Sequence, residues 1–287
     1  MILSLVLMSS IVAPRSLRAV SRAGCDEMKR IAFHVNSGKP SAPEVRDRLS
    51  VCARKYGIEV VDAAASPDVV VVLGGDGTML SAVHLYPGAP LLGLNLGSLG
   101  YLASVEEANF DDAIAALAEG RYSISHRTAL KVRGVNALND VVVSRGVSGH
   151  VIRLDFSVDG EPVTRFAADG LVIATPTGST AYSLAAGGPV LMPSSQSLVV
   201  TPICPHALSS RPLVLRDSVR MEVSVEVRGQ GDEPGVFADG LQVGTLAAGE
   251  VLEIGKSDVP IPLVELDDVN PYEVLTRKLG WSGSAIR

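Results

Sequence analysis

The chain contains, at residues 69–86, the sequence VVVVLGGDGTMLSAVHLY. Residues 69–73 are apolar and mostly β-branched, which is typical of a strand buried on both faces of a parallel sheet. Three glycines and one aspartate follow at residues 74–77, and residues 78–86 have the pattern of a helix that ends before a Pro-Gly pair. The stretch therefore predicts a strand, a glycine-rich turn and a helix, which is the repeating unit of an α/β domain.

Two patterns divide the chain. In the first half, strand and helix patterns alternate, which predicts a parallel sheet covered by helices. In the second half, apolar and polar residues alternate over 152–159 and 219–228, as they do in strands with one solvated face. The predicted fold class is α/β plus β, with the site between the two domains. We assign residues 28–126 to a Rossmann-like α/β domain, 127–268 to a mostly antiparallel β domain, and 269–287 to a helical segment that packs back on the α/β domain.

Composition limits the classes of partner. Of the 287 residues, 47% are hydrophobic and 20% are charged, which is the balance of a globular protein. The formal net charge of -6 predicts no basic face for nucleic acid. Cys25, Cys52 and Cys204 show no C-x-x-C spacing, so we expect neither a disulfide framework nor a zinc site. A reducing, cytoplasmic compartment fits this cysteine usage.

The N-terminal segment is apolar over residues 1–13. No basic residue precedes this run, no small-x-small cleavage site follows it closely, and the run is too short to span a bilayer. We expect residues 1–27 to be a disordered or non-native extension outside the fold, with Met28 as the natural beginning. We also expect no membrane association.

The glycine-rich turn is a candidate phosphate site. Its glycines let a ligand approach the backbone closely, and the following helix offers its N-terminus to phosphate. An aspartate here would repel phosphate unless a cation or a reacting hydroxyl lies between them, so Asp76 is a candidate general base or metal-associated group. The alternative is that Asp76 only caps the helix beginning at Thr78. The residues that we assign to phosphate binding are Gly74, Gly75, Gly77 and Thr78.

Three further loops carry polar or glycine-rich sequence. Residues 93–101 follow the next parallel strand and should share a crevice with the first turn; Tyr101 at their end could stack on a base or pack in the core. Asn139-Asp140 suits a ribose or a carboxamide, or forms a plain turn. Hydroxyl residues cluster over 175–183, where hydroxyls and exposed amides can bind a dinucleotide with little added charge.

Taken together and in order, these motifs resemble the NAD kinase family. The resemblance extends from about Met28 to Trp281. The Gly-Gly-Asp-Gly-Thr turn alone also occurs in lipid kinases and phosphofructokinase-like enzymes, whereas the Thr-Gly-Ser-Thr-Ala-Tyr-Ser run is much more specific. The matching runs are Gly74-Gly75-Asp76-Gly77-Thr78, Gly97-Ser98-Leu99-Gly100-Tyr101, Asn139-Asp140, Asp169-Gly170, and Thr177-Gly178-Ser179-Thr180-Ala181-Tyr182-Ser183 followed by Gly187-Gly188-Pro189.

The resemblance implies a kinase that transfers the terminal phosphoryl of ATP or polyphosphate to the 2′-hydroxyl of the adenosine ribose of NAD, with Asp76 preparing that hydroxyl. It implies Mg²⁺ or another divalent cation, whose ligands it leaves unidentified, and a cytoplasmic homodimer or homotetramer. A diacylglycerol-type lipid kinase and a non-catalytic NAD-binding sensor are the alternatives. The implied substrate-binding residues are Asp76, Gly77, Leu99, Tyr101, Asn139, Asp140, His150, Asp169, Thr180, Ala181, Tyr182, Ser183, Leu184 and Ala185.

Overall fold

The structure is a computed structural model of the chain. It describes residues 28–97, 100–146, 149–226, 233–266 and 271–281. The predicted N-terminal extension, residues 1–27, lies outside the described residues, and so does Leu99.

The described residues form five α-helices and nineteen strands, numbered here in chain order. The helices are α1 (Ala42–Lys55), α2 (Asp76–Leu85), α3 (Phe110–Ala118), α4 (Tyr182–Ala185) and α5 (Pro271–Lys278). The strands are β1 (Arg30–Val35), β2 (Glu59–Val60), β3 (Val69–Gly74), β4 (Leu91–Asn95), β5 (Val105–Glu106), β6 (Tyr122–Arg127), β7 (Leu130–Val132), β8 (Val135–Ala137), β9 (Asp140–Ser144), β10 (Ile152–Val158), β11 (Glu161–Ala168), β12 (Gly170–Ala174), β13 (Ser197–Ile203), β14 (Leu213–Arg216), β15 (Met221–Glu226), β16 (Gly235–Ala238), β17 (Leu241–Thr245), β18 (Val251–Lys256) and β19 (Ile261–Leu266).

The first sheet has seven strands in the order β2-β1-β3-β4-β19-β6, and β5 pairs with β4. β1 to β5 pair in parallel. Leu49 of α1 and Phe110 of α3 belong to the core on one face of this sheet, and Met79 of α2 belongs to the core on the other face. The first domain is therefore the α/β domain that the alternating patterns predict.

The second domain is a sandwich of two antiparallel sheets. One sheet has the order β11-β10-β15-β18-β7-β8, and the other has the order β14-β13-β12-β9-β16-β17. Alternating apolar residues of both sheets, including Phe156 of β10 and Ile173 of β12, fill one shared core. This confirms the antiparallel β domain that the period-2 pattern predicts.

Strand β19 departs from the domain boundaries expected from the sequence. It falls within residues 127–268, yet it pairs in parallel with β4 and antiparallel with β6 in the first sheet. Residues 261–264 are buried without alternation, as in an inner strand covered on both faces. The chain thus returns to the α/β domain before its C-terminal helix.

Helix α5 lies against the α/β domain. Arg277 Nη1 is 2.5 Å from Glu106 Oε1 of β5, and Lys278 Nζ lies 5.5 Å from the ring centroid of Tyr101. Among the described residues, no helix is both long and apolar enough to cross a membrane.

Candidate active site

The two glycine-rich loops are neighbours, as the parallel strands predict. Gly74 at the end of β3 is paired in register with Asn95 at the end of β4, so both loops leave the same edge of the sheet. Asn95 Oδ1 accepts a hydrogen bond from the Gly97 amide at 2.8 Å, and its Nδ2 donates to the Ala103 carbonyl at 3.2 Å. The buried Asn95 side chain therefore shapes the second loop from within.

Asp76 connects these two loops. Helix α2 begins at Asp76, two residues before the predicted beginning at Thr78, and Gly75 is its N-cap. The Asp76 carboxylate accepts hydrogen bonds from the backbone amides of the neighbouring loop at 2.9 Å (Tyr101), 2.9 Å (Leu102) and 3.1 Å (Ala103). The alternative that Asp76 serves only as the cap of its own helix is therefore wrong.

The three hydrogen bonds fix the orientation of the Asp76 carboxylate. Oδ1 accepts two of them and Oδ2 accepts one. A carboxylate oxygen has two lone-pair positions, so Oδ2 keeps one position for a further donor. A Cβ atom at Gly100 would lie 2.0 Å from Asp76 Oδ1, so only glycine allows this approach. The three bonds therefore hold one carboxylate in a fixed orientation and leave one acceptor position on Oδ2.

The four predicted phosphate-binding residues fall into two groups. A Cβ at Gly74 would lie 2.2 Å from Thr78 Oγ1, and the buried Thr78 hydroxyl accepts a hydrogen bond from Asn36 Nδ2 at 3.2 Å. Gly74 and Thr78 therefore build the turn. A Cβ at Gly75 or Gly77 would meet no described atom within 4 Å. The open space lies beside the first turn of α2. The Thr78 and Met79 amides already donate to the Gly75 carbonyl at 2.9 and 3.1 Å, so the amides before Thr78 are the ones that a helix N-terminus offers to an anion here.

The Asn139-Asp140 turn is held by an acidic residue that the sequence analysis missed. Asp239 accepts hydrogen bonds from the amides of Leu138 at 2.7 Å, Asn139 at 2.7 Å and Asp140 at 3.1 Å. The Asp239 amide donates in turn to the Asp140 carbonyl at 3.0 Å. The Asp239-Gly240 pair between two strands signals a hairpin, but nothing in the sequence shows that its carboxylate turns inward.

Burial makes the two carboxyl groups of this turn unusual. Burial, and next the nearby charge of Asp239, raise the pKa of Asp140 from 3.8 to about 7. Burial also raises the pKa of Asp239, against the lowering effect of its three backbone hydrogen bonds. Near neutral pH, Asp140 therefore exchanges between a carboxylic acid, which donates a hydrogen bond, and a carboxylate, which only accepts.

A cavity of about 380 Å³ opens between α2 and this turn. Its volume lies in the range of small-molecule sites, roughly 300–1,000 Å³. Four predicted substrate-binding residues line it (Asn139, Asp140, Ala181 and Tyr182), together with Leu80 of α2 and Asp239. The remaining lining residues are Val142, Ser144, Phe237 and Gly240. The structure thus brings both domains to one pocket, as the sequence predicts.

The hydroxyls of this cluster form hydrogen bonds within their own loop. Thr175 Oγ1 donates to the Leu138 carbonyl at 2.5 Å, Ser179 Oγ donates to the Pro176 carbonyl at 2.7 Å, and Thr180 Oγ1 donates to the Thr177 carbonyl at 3.2 Å. Ser183 Oγ is buried and lies 2.9 Å from Thr201 Oγ1. These hydroxyls build the loop that carries Ala181 and Tyr182 to the cavity, and each donating hydroxyl keeps acceptor capacity for a ligand.

Some predicted residues lie near the cavity and others do not. Tyr101 and Thr180 line a smaller, mostly apolar cavity of about 120 Å³ beside α5. Leu184 and Ala185 follow on α4, beyond the residues that line the larger cavity.

Asp169 and His150 do not line the cavity, although Ser144, which does, lies opposite Gly170 and so close to Asp169 in the sheet. Strands β9 and β12 are antiparallel, with Asp140 opposite Ala174 and Ser144 opposite Gly170. Asp169 therefore lies at the end of the strands farthest from Asp140, where it pairs with Arg145 at 3.1 Å. His150 is exposed beyond the same end. Within one protomer, Asp169 and His150 therefore lie at the opposite end of these strands from Asp140.

Comparison with known proteins agrees with this architecture. The family model described as the ATP-NAD kinase N-terminal domain matches residues 16–122, and the ATP-NAD kinase C-terminal domain matches residues 138–266. The NAD kinase of Syntrophotalea carbinolica is 38% identical over 285 residues, covering 88% of this chain and 99% of that protein. The NAD kinase of Thiobacillus denitrificans is 40% identical over 231 residues, covering 77% and 79%.

Solved structures show the same fold. Yeast NADH kinase complexed with NADH superposes with a TM-score of 0.81 at 24% identity, covering 90% of this chain and 89% of that chain. An NAD kinase from Archaeoglobus fulgidus in complex with ATP superposes with a TM-score of 0.75 at 26% identity, covering 88% and 98%. Fold, site and relatives together define a phosphotransferase. The chain belongs to the NAD kinase family, whose members phosphorylate NAD to NADP.

Proposed function

We propose that this protein transfers the terminal phosphoryl group of ATP to the 2′-hydroxyl of the adenosine ribose of NAD and so produces NADP. The observation that carries the proposal is the position of Asp76. Its carboxylate is fixed by three backbone amides and keeps one acceptor position on Oδ2. The open glycine turn for a phosphate begins at the adjacent residue, Gly75.

In the proposed reaction, the ribose hydroxyl donates its proton to Asp76. The hydroxyl oxygen bonds to the terminal phosphorus while the bond from that phosphorus to the leaving ADP oxygen breaks. The backbone N–H groups at the first turn of α2, beside Gly75 and Gly77, hold the donor phosphates. The protein contributes mainly position and charge compensation, which is what phosphoryl transfer requires.

The cavity between α2 and the Asn139-Asp140 turn accommodates part of NAD in this proposal. Asn139 offers both a donor and an acceptor through its amide, and Asp140 offers a carboxyl group whose pKa of about 7 lets it do either. The Tyr182 ring is 44% exposed at the edge of the cavity, where it can stack on a heterocycle. The polar groups of Asn139 and Asp140 converge on this cavity and suit the ribose or carboxamide of a dinucleotide better than an acyl chain.

A divalent cation fits this site if the donor phosphates supply some of its ligands. Within the part of the chain that the structure describes, no three His, Cys, Asp or Glu side chains come together as a metal site. Magnesium commonly keeps several waters and binds one or two carboxylates plus substrate phosphates. When bound, the cation neutralises the donor phosphates; Asp76 is the side chain that we propose to lie near it.

Assembly belongs to the same proposal. Asp169 and His150 lie at the end of β9 and β12 that is remote from Asp140, and the cavity reaches towards this end at Ser144. We propose that these two residues contact NAD either along that side of the cavity or from a second copy of the chain. A homodimer or homotetramer, in the cytoplasm, is the form that the family resemblance suggests. Sedimentation with and without NAD would test the assembly, and a strictly monomeric active enzyme would contradict it.

The proposal is tested by incubating purified protein with NAD, Mg²⁺ and either ATP or polyphosphate, and by measuring NADP with an NADP-specific dehydrogenase. We expect NADP with ATP, carrying phosphate on the adenosine 2′-oxygen. Phosphorylation of diacylglycerol but not of NAD would indicate a lipid kinase instead. Tight NAD binding without NADP formation would indicate a sensor. Turnover with polyphosphate alone would contradict ATP as the donor.

A further inference from the structure

Helix α2 presents one row of side chains to the site. Asp76, Leu80 and His84 are spaced four residues apart, so they lie on neighbouring turns of one face of the helix. Asp76 contacts the loop after β4, and Leu80 lines the cavity with Asn139 and Asp140. His84 occupies the last turn of the same helix, about 12 Å from Asp76 along the axis.

His84 continues this row to the β domain. Its Nε2 lies 3.7 Å from Oδ2 of Asp239, the residue that holds the Asn139-Asp140 turn. The Asp239 side chain is fully buried, whereas 23% of the His84 side chain is exposed. His84 Nε2 is itself buried, and no described group forms a hydrogen bond with it. The ring therefore stands just beyond hydrogen-bond distance from a carboxylate in the other domain.

We propose that His84 is a positioning residue for the phosphoryl acceptor, because its imidazole sets the distance between helix α2 and the Asp239-held turn of the β domain. The proposal rests on the function proposed above. One end of α2 carries the base, and the other end is tied through Asp239 to the turn that contacts NAD. A contact between His84 and Asp239 therefore fixes where NAD lies relative to Asp76, although His84 does not touch the ligand.

The surrounding contacts favour this role over simple packing. Asp239 Oδ2 accepts one hydrogen bond, from the Leu138 amide, and so keeps an acceptor position for the imidazole. A buried nitrogen without a hydrogen bond costs free energy, and a small closing movement of the two domains would satisfy it. Binding of NAD in the cavity between α2 and the turn would favour that movement, since the ligand contacts both sides.

The test uses variants that separate the hydrogen-bonding role from the volume of the ring. His84→Phe keeps a ring but loses the nitrogen donor, whereas His84→Gln keeps an N–H donor on a side chain of similar reach. We expect His84→Phe to raise both the KM and the calorimetric Kd for NAD by about tenfold, with little change in the KM for ATP. His84→Gln should restore most of the affinity. If His84→Phe does not fold, His84→Asn, which is too short to reach Asp239, takes its place.

A matched control is His34→Phe. His34 is also partly buried in the α/β domain, but its Nδ1 lies 3.2 Å from the Tyr86 hydroxyl of that domain. This variant should leave the KM for NAD unchanged. Equal NAD affinity for wild type and His84→Phe, or equal loss in the Phe and Gln variants, would overturn the positioning role. Absence of NADP formation by the wild type would instead overturn the proposed function, and calorimetry without ATP distinguishes the two failures.

Discussion

The backbone amide of Tyr101 donates a hydrogen bond of 2.9 Å to Oδ2 of Asp76. The two residues lie 25 positions apart in the chain, and the parallel pairing of β3 with β4 brings their loops together. The bond joins the glycine turn to the second loop and holds the proposed base before any ligand arrives. Such preorganisation removes a reorientation cost from the reaction step.

Substitution of Gly100 tests the importance of this held orientation. In Gly100→Ala, the new Cβ would lie 2.0 Å from Asp76 Oδ1, so the carboxylate must move. We expect kcat to fall by about 10²-fold, the scale of a misplaced catalytic group, and thermal stability to fall modestly. Gly255→Ala is the control, because the nearest atom to its Cβ is 4.0 Å away. Wild-type kcat in Gly100→Ala would show that the orientation of Asp76 is unimportant.

Removal of the carboxylate tests the base itself. Asp76→Asn keeps an acceptor for two amides, but its NH₂ group can accept neither the Tyr101 N–H nor a substrate proton. We expect kcat to fall by about 10² or more, with the far-ultraviolet circular dichroism spectrum retained. Asp112→Asn, an exposed carboxylate on α3, should behave as wild type. A folded Asp76→Asn enzyme with normal turnover would contradict the role of general base.

Substitution of Gly77 tests where the donor phosphates bind. A methyl group at this position meets no described atom within 4 Å, and alanine favours a helix over glycine by up to about 1 kcal/mol. Gly77→Ala should therefore fold as well as wild type. The methyl would occupy the space proposed for phosphate, so we expect the KM for ATP to rise roughly tenfold, a difference of about 1.4 kcal/mol.

Two comparisons make the Gly77 measurement decisive. Ser81→Ala, an exposed position one turn further along α2, should leave both KM values unchanged. In Gly77→Ala, the KM for NAD should change much less than the KM for ATP. An unchanged KM for ATP in Gly77→Ala would show that the donor phosphates do not bind at this turn.

The pKa of Asp140 predicts a pH dependence of stability. Its folded-state pKa, about 7, lies above the ordinary value of 3.8, so ionisation is harder in the folded state than in the unfolded state. The stabilisation is complete below about pH 4 and is lost as the pH rises towards 7, by at most about 4 kcal/mol. Asp140→Asn has no carboxyl group to ionise and so removes this loss. In urea unfolding, the free energy of unfolding of the variant should therefore rise relative to that of wild type between about pH 4 and pH 7.

The control for this titration is Asp258→Asn, because Asp258 is exposed. Its free energy of unfolding should follow that of wild type at every pH. A constant difference between wild type and Asp140→Asn from pH 4 to pH 8 would show that Asp140 titrates in its ordinary range.

The fold was largely predictable because its patterns are local. The run over 69–73 predicts β3, and the alternation over 152–159 predicts β10. The sequence boundaries placed β19 in the β domain, whereas it pairs with β4 of the α/β domain. The partner lies about 170 residues earlier in the chain, and a short apolar run does not indicate which strand it will pair with. The beginning of α2 was predicted two residues late, because the glycines at 75 and 77 have low helix propensity and are typical of a turn.

The site was predictable where motifs mark the backbone and less so where side chains meet. Asp76, Asn139 and Asp140 follow from their loops and lie at the domain boundary in the structure. His84 and Asp239 come together only through tertiary structure, so no sequence motif predicts their contact. The hydroxyls over 175–183 illustrate a second limit, because the sequence does not show that three of them donate hydrogen bonds to backbone carbonyls.

The most direct test of the central claim is a crystal structure of the protein with NAD bound. We expect the adenosine 2′-oxygen within hydrogen-bond distance of Asp76 Oδ2, about 2.6–3.2 Å, with Asn139 and Asp140 in contact with the same ligand. A bound dinucleotide whose adenosine ribose lies far from Asp76, with no water or cation between them, would contradict it.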